Sequence, residues 1–387
     1  MKRAALSVLL LGLVACSQPP QPPETPPASP AGPPSPAASA AAPGAEAAAL
    51  RSKWGKIFQA LPAEAPSQGN ELTEARINLG RMLYYEARLS TDGTISCNSC
   101  HDLQNYGVDG KPTSSGVKGQ LGGRNSPTVY HAALHTTQFW DGRAKDVEEQ
   151  AKGPVLNPIE MAMPAKEEVE KRLREIPGYR ELFAAAFPKD KEPVTFENMA
   201  LAIGAFERKL MTPSPFDRFL QGDDTALTPE QLRGLQTFGE VGCVTCHTGV
   251  AMGGNSFRKL GQVKPYETKD QGRFDVTKNE ADKFMFKVQS LRNVEKTGPY
   301  FHDGSVATLE DATRLMAEHQ LGKTLTDQQV QDLVAFMKSM TGEIPADYIA
   351  KPTLPGETAS AASPAAGEPP ASPAAEPQEG ASPAGQD

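Results

Sequence analysis

Apolar residues recur at intervals of three and four along several stretches of the chain, which is the spacing of one helical face. In the clearest stretch, the positions i, i+3, i+4 and i+7 hold Val330, Leu333, Val334 and Met337. Further helices are predicted over 72–88, 166–187 and 195–210. We find no convincing series of alternating polar and apolar residues. The pattern therefore predicts an all-α fold.

Capping residues mark the start of two of the expected helices. Thr228 stands at an N-cap position, with Pro229 at the first helical position and Gln231 at the third. This is a strong start signal, because the threonine and glutamine side chains can each bond a free main-chain N–H. The same pattern recurs at 326–329. The first of these helices leads into a cysteine motif at 243–247.

The two ends of the chain differ in composition from the rest. The chain has 387 residues and a net charge of −8, and more than half of its 35 prolines lie in 17–50 and 352–387. Such Pro- and Ala-rich segments bury too little apolar surface to offset the entropy of ordering, so we expect them to be disordered. About 50–351 remains to fold. The acidic balance argues against a nucleic-acid partner, and no basic block suggests a membrane-surface patch.

The N-terminus has the features of an export signal. Two basic residues precede an apolar run over 4–14 that is too short to span a bilayer, as in a secretory signal peptide. The run ends in a segment that resembles the bacterial lipobox, which predicts a signal peptide over 1–15 and a lipidated Cys16. Ser17 in place of aspartate favours the outer membrane, and 16–50 would serve as a tether. An ordinary signal peptide ending near a cysteine is the alternative.

The remaining four cysteines form two copies of the pattern Cys-x-x-Cys-His. Two structural disulfides would be one explanation in an exported chain. Zinc is less suitable because each copy offers three ligands rather than four, and a thioredoxin-like site needs no following histidine. The pattern is the attachment signature of c-type haem, whose iron the histidine ligates. The sequence therefore predicts two covalently bound haem c groups, held by Cys97, Cys100, His101, Cys243, Cys246 and His247.

Helix-breaking residues over 211–227 divide the part expected to fold into two halves. Each half holds one haem motif with helical segments around it. The sequence thus predicts two cytochrome c-like haem domains, over 51–220 and 221–351, followed by a disordered tail over 352–387.

The second domain offers candidates for the sixth iron ligand. A haem with both axial positions filled transfers electrons, whereas one with an open position can bind a small molecule. Met316 is the best placed because it lies on an expected helix well downstream of the motif, although a buried methionine is more often core filler. His319, one turn later, is the competitor, and His302 is also available.

Several segments together resemble the bacterial dihaem cytochrome c peroxidases over almost all of 70–343. The first half contributes four of these segments, which are 96–101, 124–129, 138–143 and 153–161. The second half contributes four more, which are 242–249, 291–294, 298–304 and 321–322. As a set they are highly specific.

The resemblance implies a function and an electron route. Members of this family reduce hydrogen peroxide to water with two electrons from a small periplasmic carrier, a cytochrome c or a copper protein. It implies that the His101 haem is peroxidatic and that electrons enter at the His247 haem, whose distal ligand matches Met316. Trp140 matches the residue between the haems, and Glu160 matches the distal acid-base. Homodimers are common in the family, and a dimer here is implied only in that way.

The resemblance also implies a distal pocket and a calcium site. Phe139, Gln150 and Pro154 match other residues of the distal pocket. A calcium ion between the domains would be held by Asn125, Thr297 and Pro299, through the amide and carbonyl oxygens that calcium prefers.

The chemistry of Glu160 supports its implied role independently. Breaking the O–O bond requires a proton to move between the two peroxide oxygens, and a buried carboxylate with a raised pKa can carry it. Glu160 stands among Pro158, Ile159, Met161 and Met163, and this apolar context is expected to raise its pKa. The alternative is a solvated loop acid.

One position departs from the family pattern. Many members carry a distal histidine on the loop after the first motif, and here Val117 occupies that place. Because valine cannot ligate iron, we expect the His101 haem to rest five-coordinate or water-bound, without a need for reductive activation. His131 and His135 are the substitute ligands to consider, although a polar patch or hydrogen bonding in the core is the favoured explanation for both.

Two other functions remain open on the sequence. A MauG-like enzyme would oxidise a side chain of a partner protein; Val117 fits that class, but its second haem has a tyrosine ligand where this chain has Met316. A non-enzymatic electron carrier or redox sensor would need neither Glu160 nor an open iron.

Overall fold

The computed structural model describes residues 43–357 of the protein. The predicted signal peptide, Cys16, most of the tether and most of the tail lie outside these residues. Thirteen α-helices lie within the described part, and we number them in chain order. They are α1 Pro43–Trp54, α2 Glu74–Tyr84, α3 Cys97–Cys100, α4 Val147–Leu156, α5 Lys166–Glu175, α6 Tyr179–Ala186, α7 Phe196–Glu207, α8 Pro215–Leu220, α9 Pro229–Val241, α10 Phe274–Thr277, α11 Leu309–Leu321, α12 Asp327–Lys338 and α13 Ala346–Ile349.

The all-α prediction is confirmed. The described residues contain one sheet, in which the three-residue strands β1 (Phe257–Lys259) and β2 (Met285–Lys287) pair antiparallel. No helix between residues 43 and 357 is long and apolar enough to cross a bilayer. One expected helix, over 166–187, is two helices in the structure, because the chain turns at Pro177 and at Gly178, which has a φ of 96°.

The predicted caps form as expected. At the start of α9 the Gln231 main-chain N–H donates to Thr228 Oγ1 at 3.3 Å, and the Thr228 N–H donates back to Gln231 Oε1 at 2.9 Å. The start of α12 has the same pair of bonds between Thr326 and Gln329. These two helices pack closely: a Cβ at Gly234 on α9 would lie 1.9 Å from the carbonyl oxygen of Asp332 on α12, so this crossing requires glycine.

Two apolar cores correspond to the two expected haem domains. The first core is built on α2, α4, α5, α6 and α7. The second is built on α1, α8, α9, α11 and α12. Each core adjoins one haem motif, since Cys97 packs on the first and Cys243 on the second.

Each end of the described chain packs on the core of the opposite half. Helix α1 begins within the predicted tether, and its Ala47 and Leu50 are buried in the second core rather than the first. At the other end, Ile349 and Leu354 are buried in the first core. The tail predicted to begin at 352 therefore starts with an ordered segment. The predicted boundaries at 50 and 351 assumed that neighbours in sequence share a core, whereas these end segments pack on the core of the other half.

Candidate active site

The first haem motif opens onto a cavity of about 510 Å³ in the N-terminal core. Helix α3 is one turn long and is capped by Ser96, whose N–H donates to Ser99 Oγ at 3.0 Å. This turn places the two motif cysteines and the following His101 in the cavity wall. The candidate site residues in the same wall are Phe139, Trp140, Gln150, Pro154 and Glu160.

The first motif fits covalent haem better than the alternatives. None of the four motif cysteines forms a disulfide. Burial raises the pKa of the Cys97 thiol, and the nearby Glu207 adds to this effect. A thiol so disfavoured as thiolate does not suit a nucleophilic redox site. His101 Nδ1 is buried without a hydrogen-bond partner among the described residues, while the ring lines the cavity where an iron would be bound.

Glu160 lies on the turn after α4 and faces this cavity. The Asn157 side-chain amide donates to Glu160 Oε1 at 2.9 Å, which orients the carboxyl group. Burial raises the pKa of Glu160, while Arg143 and the Asn157 bond act in the opposite direction. The expected raised pKa is thus confirmed; of the apolar neighbours in sequence, Met161 and Met163 are buried while Ile159 is 40% exposed.

Phe139 occupies a tight turn between Gln138 and Arg143. Its φ of 65° lies in the left-handed region, which a bulky residue rarely adopts. The Arg143 guanidinium lies over the Phe139 ring, 3.4 Å from its centroid. Sequence reasoning missed Arg143, although it stands in the motif 138–143. The positive charge of Arg143 lowers the pKa of Glu160, and Arg143 lines the same cavity.

Val117 is buried, with 2% of its surface exposed, and is not part of the cavity lining. Its main-chain N–H donates to the Glu160 carbonyl oxygen at 2.8 Å. The neighbouring Gly116 lies so close to the same segment that a Cβ there would be 1.9 Å from the Ile159 carbonyl oxygen. The loop is therefore packed on the candidate acid.

The second haem motif opens onto a second cavity, of about 250 Å³. His247 Nδ1 lies 3.0 Å from the Met252 carbonyl oxygen. If Nδ1 carries the proton, as this contact requires, the other ring nitrogen is free to ligate a metal. Met316 on α11 lines this cavity, as does Met337. These residues fit a haem held by Cys243, Cys246 and His247.

The competing ligand His319 does not line either cavity. Its half-buried ring packs on Tyr266, with centroids 5.2 Å apart, and its Nδ1 is 2.9 Å from the Lys264 carbonyl oxygen. His302 lines the second cavity, but its Nε2 is 2.9 Å from Thr268 Oγ1 and its ring packs on Phe286, with centroids 4.5 Å apart.

Trp140 lines both cavities. Its indole N–H donates to the Asn125 carbonyl oxygen at 2.9 Å, and its own carbonyl accepts from the Lys287 main-chain N–H at 2.8 Å. An aromatic side chain is thus fixed between the two haem motifs.

The three residues implied for calcium all line the second cavity. The Asn125 amide nitrogen donates to the Lys111 carbonyl oxygen at 3.0 Å, which leaves its side-chain oxygen for another partner. The carbonyl oxygens of Thr297 and Pro299 accept no hydrogen bond from the described residues. Three oxygens of the kind calcium prefers thus border one cavity.

The remaining histidine candidates have different surroundings. His131 is fully buried, and its Nε2 lies 3.0 Å from Thr212 Oγ1, which confirms the expected hydrogen bonding in the core. His135 lines both cavities and contacts Lys287, 3.2 Å from Nδ1 to Nζ.

Neither Lys287 nor Glu207, which is 3% exposed in the wall of the first cavity, was singled out from the sequence. Buried charge of this kind depends on tertiary packing and has no local signal.

Comparisons with known proteins agree with the two-domain arrangement. Residues 74–225 match the family model described as di-haem cytochrome c peroxidase, and residues 231–341 match the model described as cytochrome c. The chain thus has two haem c domains and carries two haem c groups, as predicted.

Similar proteins come from several bacteria. The chain is 44% identical to the cytochrome c551 peroxidase of Pseudomonas aeruginosa, over 83% of this chain and 94% of that one. It is 50% identical to the cytochrome c551 peroxidase of Nitrosomonas europaea, over 69% and 80% of the two chains. Among solved structures, a MauG-like protein associated with microbial copper homeostasis matches with a TM-score of 0.67 and 31% identity, over 76% of this chain and 97% of the other. The chain therefore belongs to the di-haem cytochrome c peroxidase family and is an enzyme of that family.

Proposed function

We propose that this protein reduces hydrogen peroxide to water, using two electrons from a small cytochrome c or copper protein in the periplasm. The observation that carries the proposal is the position of Glu160. Its carboxyl group faces the same cavity as His101, and burial raises its pKa. An electron carrier does not require a buried carboxyl group with a raised pKa beside its haem.

The residues of the first cavity have distinct tasks. Haem held at Cys97, Cys100 and His101 would supply a redox-active iron with an exchangeable coordination position. Deprotonated Glu160 would take a proton from the bound substrate and return it to the departing oxygen, so that water leaves rather than hydroxide.

The side chains around Glu160 would hold it ready for this transfer. Asn157 fixes the carboxyl orientation through its 2.9 Å bond. Phe139 and Pro154 would limit the water in the cavity, and Gln150 would supply a polar contact to substrate. A carboxyl group that is held in one orientation spends more of the time in the geometry that proton transfer requires.

Electrons would enter at the haem held by Cys243, Cys246 and His247, with Met316 as its distal ligand. A thioether ligand raises the potential of haem iron, which suits the acceptor of electrons from a carrier. Trp140 would then carry them to the first cavity. Its support is the shared wall, because Trp140 borders both cavities and its hydrogen bond to Asn125 holds the ring in place.

Three further features belong to this proposal. A calcium ion bound by Asn125, Thr297 and Pro299 would fix the chain between the two cavities. Lipidation at Cys16 would anchor the protein to a membrane, and Ser17 favours the outer one. A homodimer is the assembly that the family implies.

A MauG-like oxidation of a partner protein is the second candidate, favoured by one observation. Val117 leaves no histidine in the loop that packs on Glu160. Met316 in the second cavity argues against this function, because that class uses a tyrosine there.

The test compares peroxide-dependent oxidation of a reduced small cytochrome c by wild-type protein and Glu160→Gln. We expect the variant to lose roughly 10²- to 10⁴-fold in turnover, the range that one positioned acid-base supplies, while both haems stay attached. Glu168→Gln, an exposed acid of the same domain, is the matched control and should keep wild-type turnover. Full turnover by Glu160→Gln would reject the assigned role, and oxidation of a partner protein without turnover of a carrier would favour the MauG-like function.

A further inference from the structure

Lys287 is a buried cation in the wall that the two haem cavities share. It is 3% exposed and lines both cavities. Its ammonium group donates to the Thr137 carbonyl oxygen at 2.9 Å and lies 3.2 Å from His135 Nδ1. No carboxylate of the described residues lies within 4.0 Å of it. One of its three N–H groups therefore remains available.

His135 provides a second donor at the same place. When the charged Lys287 ammonium donates to His135 Nδ1, that nitrogen accepts and the ring proton lies on Nε2. Nε2 is buried without a hydrogen-bond partner among the described residues. The ring cannot turn away, since Gly254 packs against it so closely that a Cβ there would lie 2.2 Å from Cδ2. Two free donors thus border the cavities, one of them on a charged group.

A buried cation without a counter-ion is unfavourable, and burial lowers the pKa of Lys287 to about 7. The other cations nearby already have anionic partners. Arg124 is bound to Asp141 and Asp270, and Arg143 is bound to Asp141. Asp141 raises the pKa of Lys287 from a distance but already pairs with both arginines, so the cavity side is where a contacting anion can be added. A haem c group carries two propionate carboxylates that are not used in its attachment.

We propose that Lys287 and His135 together bind a haem propionate in the wall between the two cavities. The Lys287 ammonium and His135 Nε2–H would donate to the carboxylate, which has acceptor sites for both. This inference rests on the haem content of the chain and not on peroxide reduction. It adds a cofactor-binding pair to the covalent attachment residues.

The position of Lys287 also connects the cofactor to Trp140. The Lys287 main-chain N–H donates to the Trp140 carbonyl oxygen at 2.8 Å. A propionate held by Lys287 is therefore anchored to the segment that separates the haems. A positive charge at this place favours the reduced haem, because reduction adds a negative charge next to it.

The test is resonance Raman spectroscopy of the holoprotein, in which the propionate bending mode reports hydrogen bonding to the carboxylate. We expect this band to shift to lower frequency in Lys287→Met and to stay near the wild-type position in Lys287→Arg. The midpoint potential of at least one haem should fall in Lys287→Met, by an amount that changes the oxidised-to-reduced ratio about tenfold, or 59 mV for one electron. Lys338→Met, at an exposed lysine of α12, should change neither property.

Two results would overturn the proposal. One is an unchanged propionate band in Lys287→Met with both haems attached. The other is a fall in potential without a shift of the band, which would make Lys287 a distant charge rather than a ligand. If Lys287→Met does not fold, His135→Phe keeps the ring volume and removes the second donor. Because Lys287 would still donate in His135→Phe, the propionate band should shift by less than it would if both donors were lost. An unchanged propionate band in His135→Phe would again reject the contact.

Discussion

The main-chain N–H of Val117 is hydrogen-bonded to the carbonyl oxygen of Glu160 at 2.8 Å. The loop position that the family resemblance matches to a blocking histidine is therefore joined directly to the residue proposed to move the substrate proton. Gly116 makes this contact sterically feasible, because the Ile159 carbonyl oxygen occupies the space of a side chain. The position of Glu160 consequently depends on the loop.

We expect Gly116→Ala to reduce peroxide turnover. Its Cβ would lie 1.9 Å from the Ile159 carbonyl oxygen and 2.6 Å from that of Glu160, so the two segments must separate. A displacement of about 1 Å at a catalytic group can cost roughly 10²-fold in rate. Gly123→Ala is the control, because nothing lies within 4 Å of its new Cβ. Equal turnover in the two variants would show that the loop does not position Glu160.

We expect Arg143 to influence the pH dependence of peroxide turnover through Glu160. Proton uptake requires the deprotonated carboxylate, so kcat/KM should rise with pH through the pKa of Glu160, which burial raises above its ordinary value. The charge of Arg143 lowers this pKa. Removing it in Arg143→Met should move the acidic limb to higher pH, whereas the exposed Arg180→Met should leave it in place. If the acidic limb of the pH profile stays at the same pH in both variants, a group other than Glu160 is responsible for it.

Trp140 should control the transfer of electrons between the domains. We expect Trp140→Leu to slow reduction of the peroxidatic haem by at least about tenfold, or roughly 1.4 kcal/mol of barrier, in stopped-flow experiments with prereduced carrier. The chain has one other tryptophan, Trp54 on α1, which lines neither cavity. Trp54→Leu is therefore the matched control. Identical rates for the two variants would exclude the proposed route.

Glu207 should make the stability of the protein pH-dependent. Burial, reinforced by Glu148, raises its pKa to about 8 in the folded protein, against 4.5 for an ordinary glutamate. The folded state therefore holds a proton that the unfolded state has released, so stability falls as pH rises from about 4.5 to about 8. The full effect is on the order of a few kcal/mol.

Urea unfolding of wild-type protein and Glu207→Gln measures this contribution. We expect the variant to gain stability over wild type between pH 5 and pH 8.5, because glutamine carries no charge to bury. Glu168→Gln, at an exposed position, should show no such trend. A constant difference between wild type and Glu207→Gln across this range would mean that Glu207 stays ionised when the protein folds.

Local patterns were sufficient to predict the helices and the haem motifs. The caps at Thr228 and Thr326 form because their signal lies within four residues. The exchange of chain ends was not predictable, because burial of Leu50 in the second core and Leu354 in the first depends on contacts between distant segments.

The site was predictable to a similar extent. Glu160 and Trp140 were found through motifs, and both line the first cavity. Lys287 was not, because a lysine in a short strand normally faces solvent and only the packing of β2 between the cavities buries it. Val117 shows the opposite case, since its identity was informative while its contact with Glu160 required the structure.

The proposed peroxidase activity depends on a carboxyl group with a raised pKa and on two linked haems. Its most direct test is steady-state peroxide turnover by the oxidised holoprotein, as isolated and after prereduction, with reduced small cytochrome c as the donor. We expect two cytochromes to be oxidised for each peroxide consumed, and similar initial rates for both preparations because Val117 cannot ligate the iron. Absence of peroxide turnover in both preparations, with two haems covalently attached, would contradict the proposed activity.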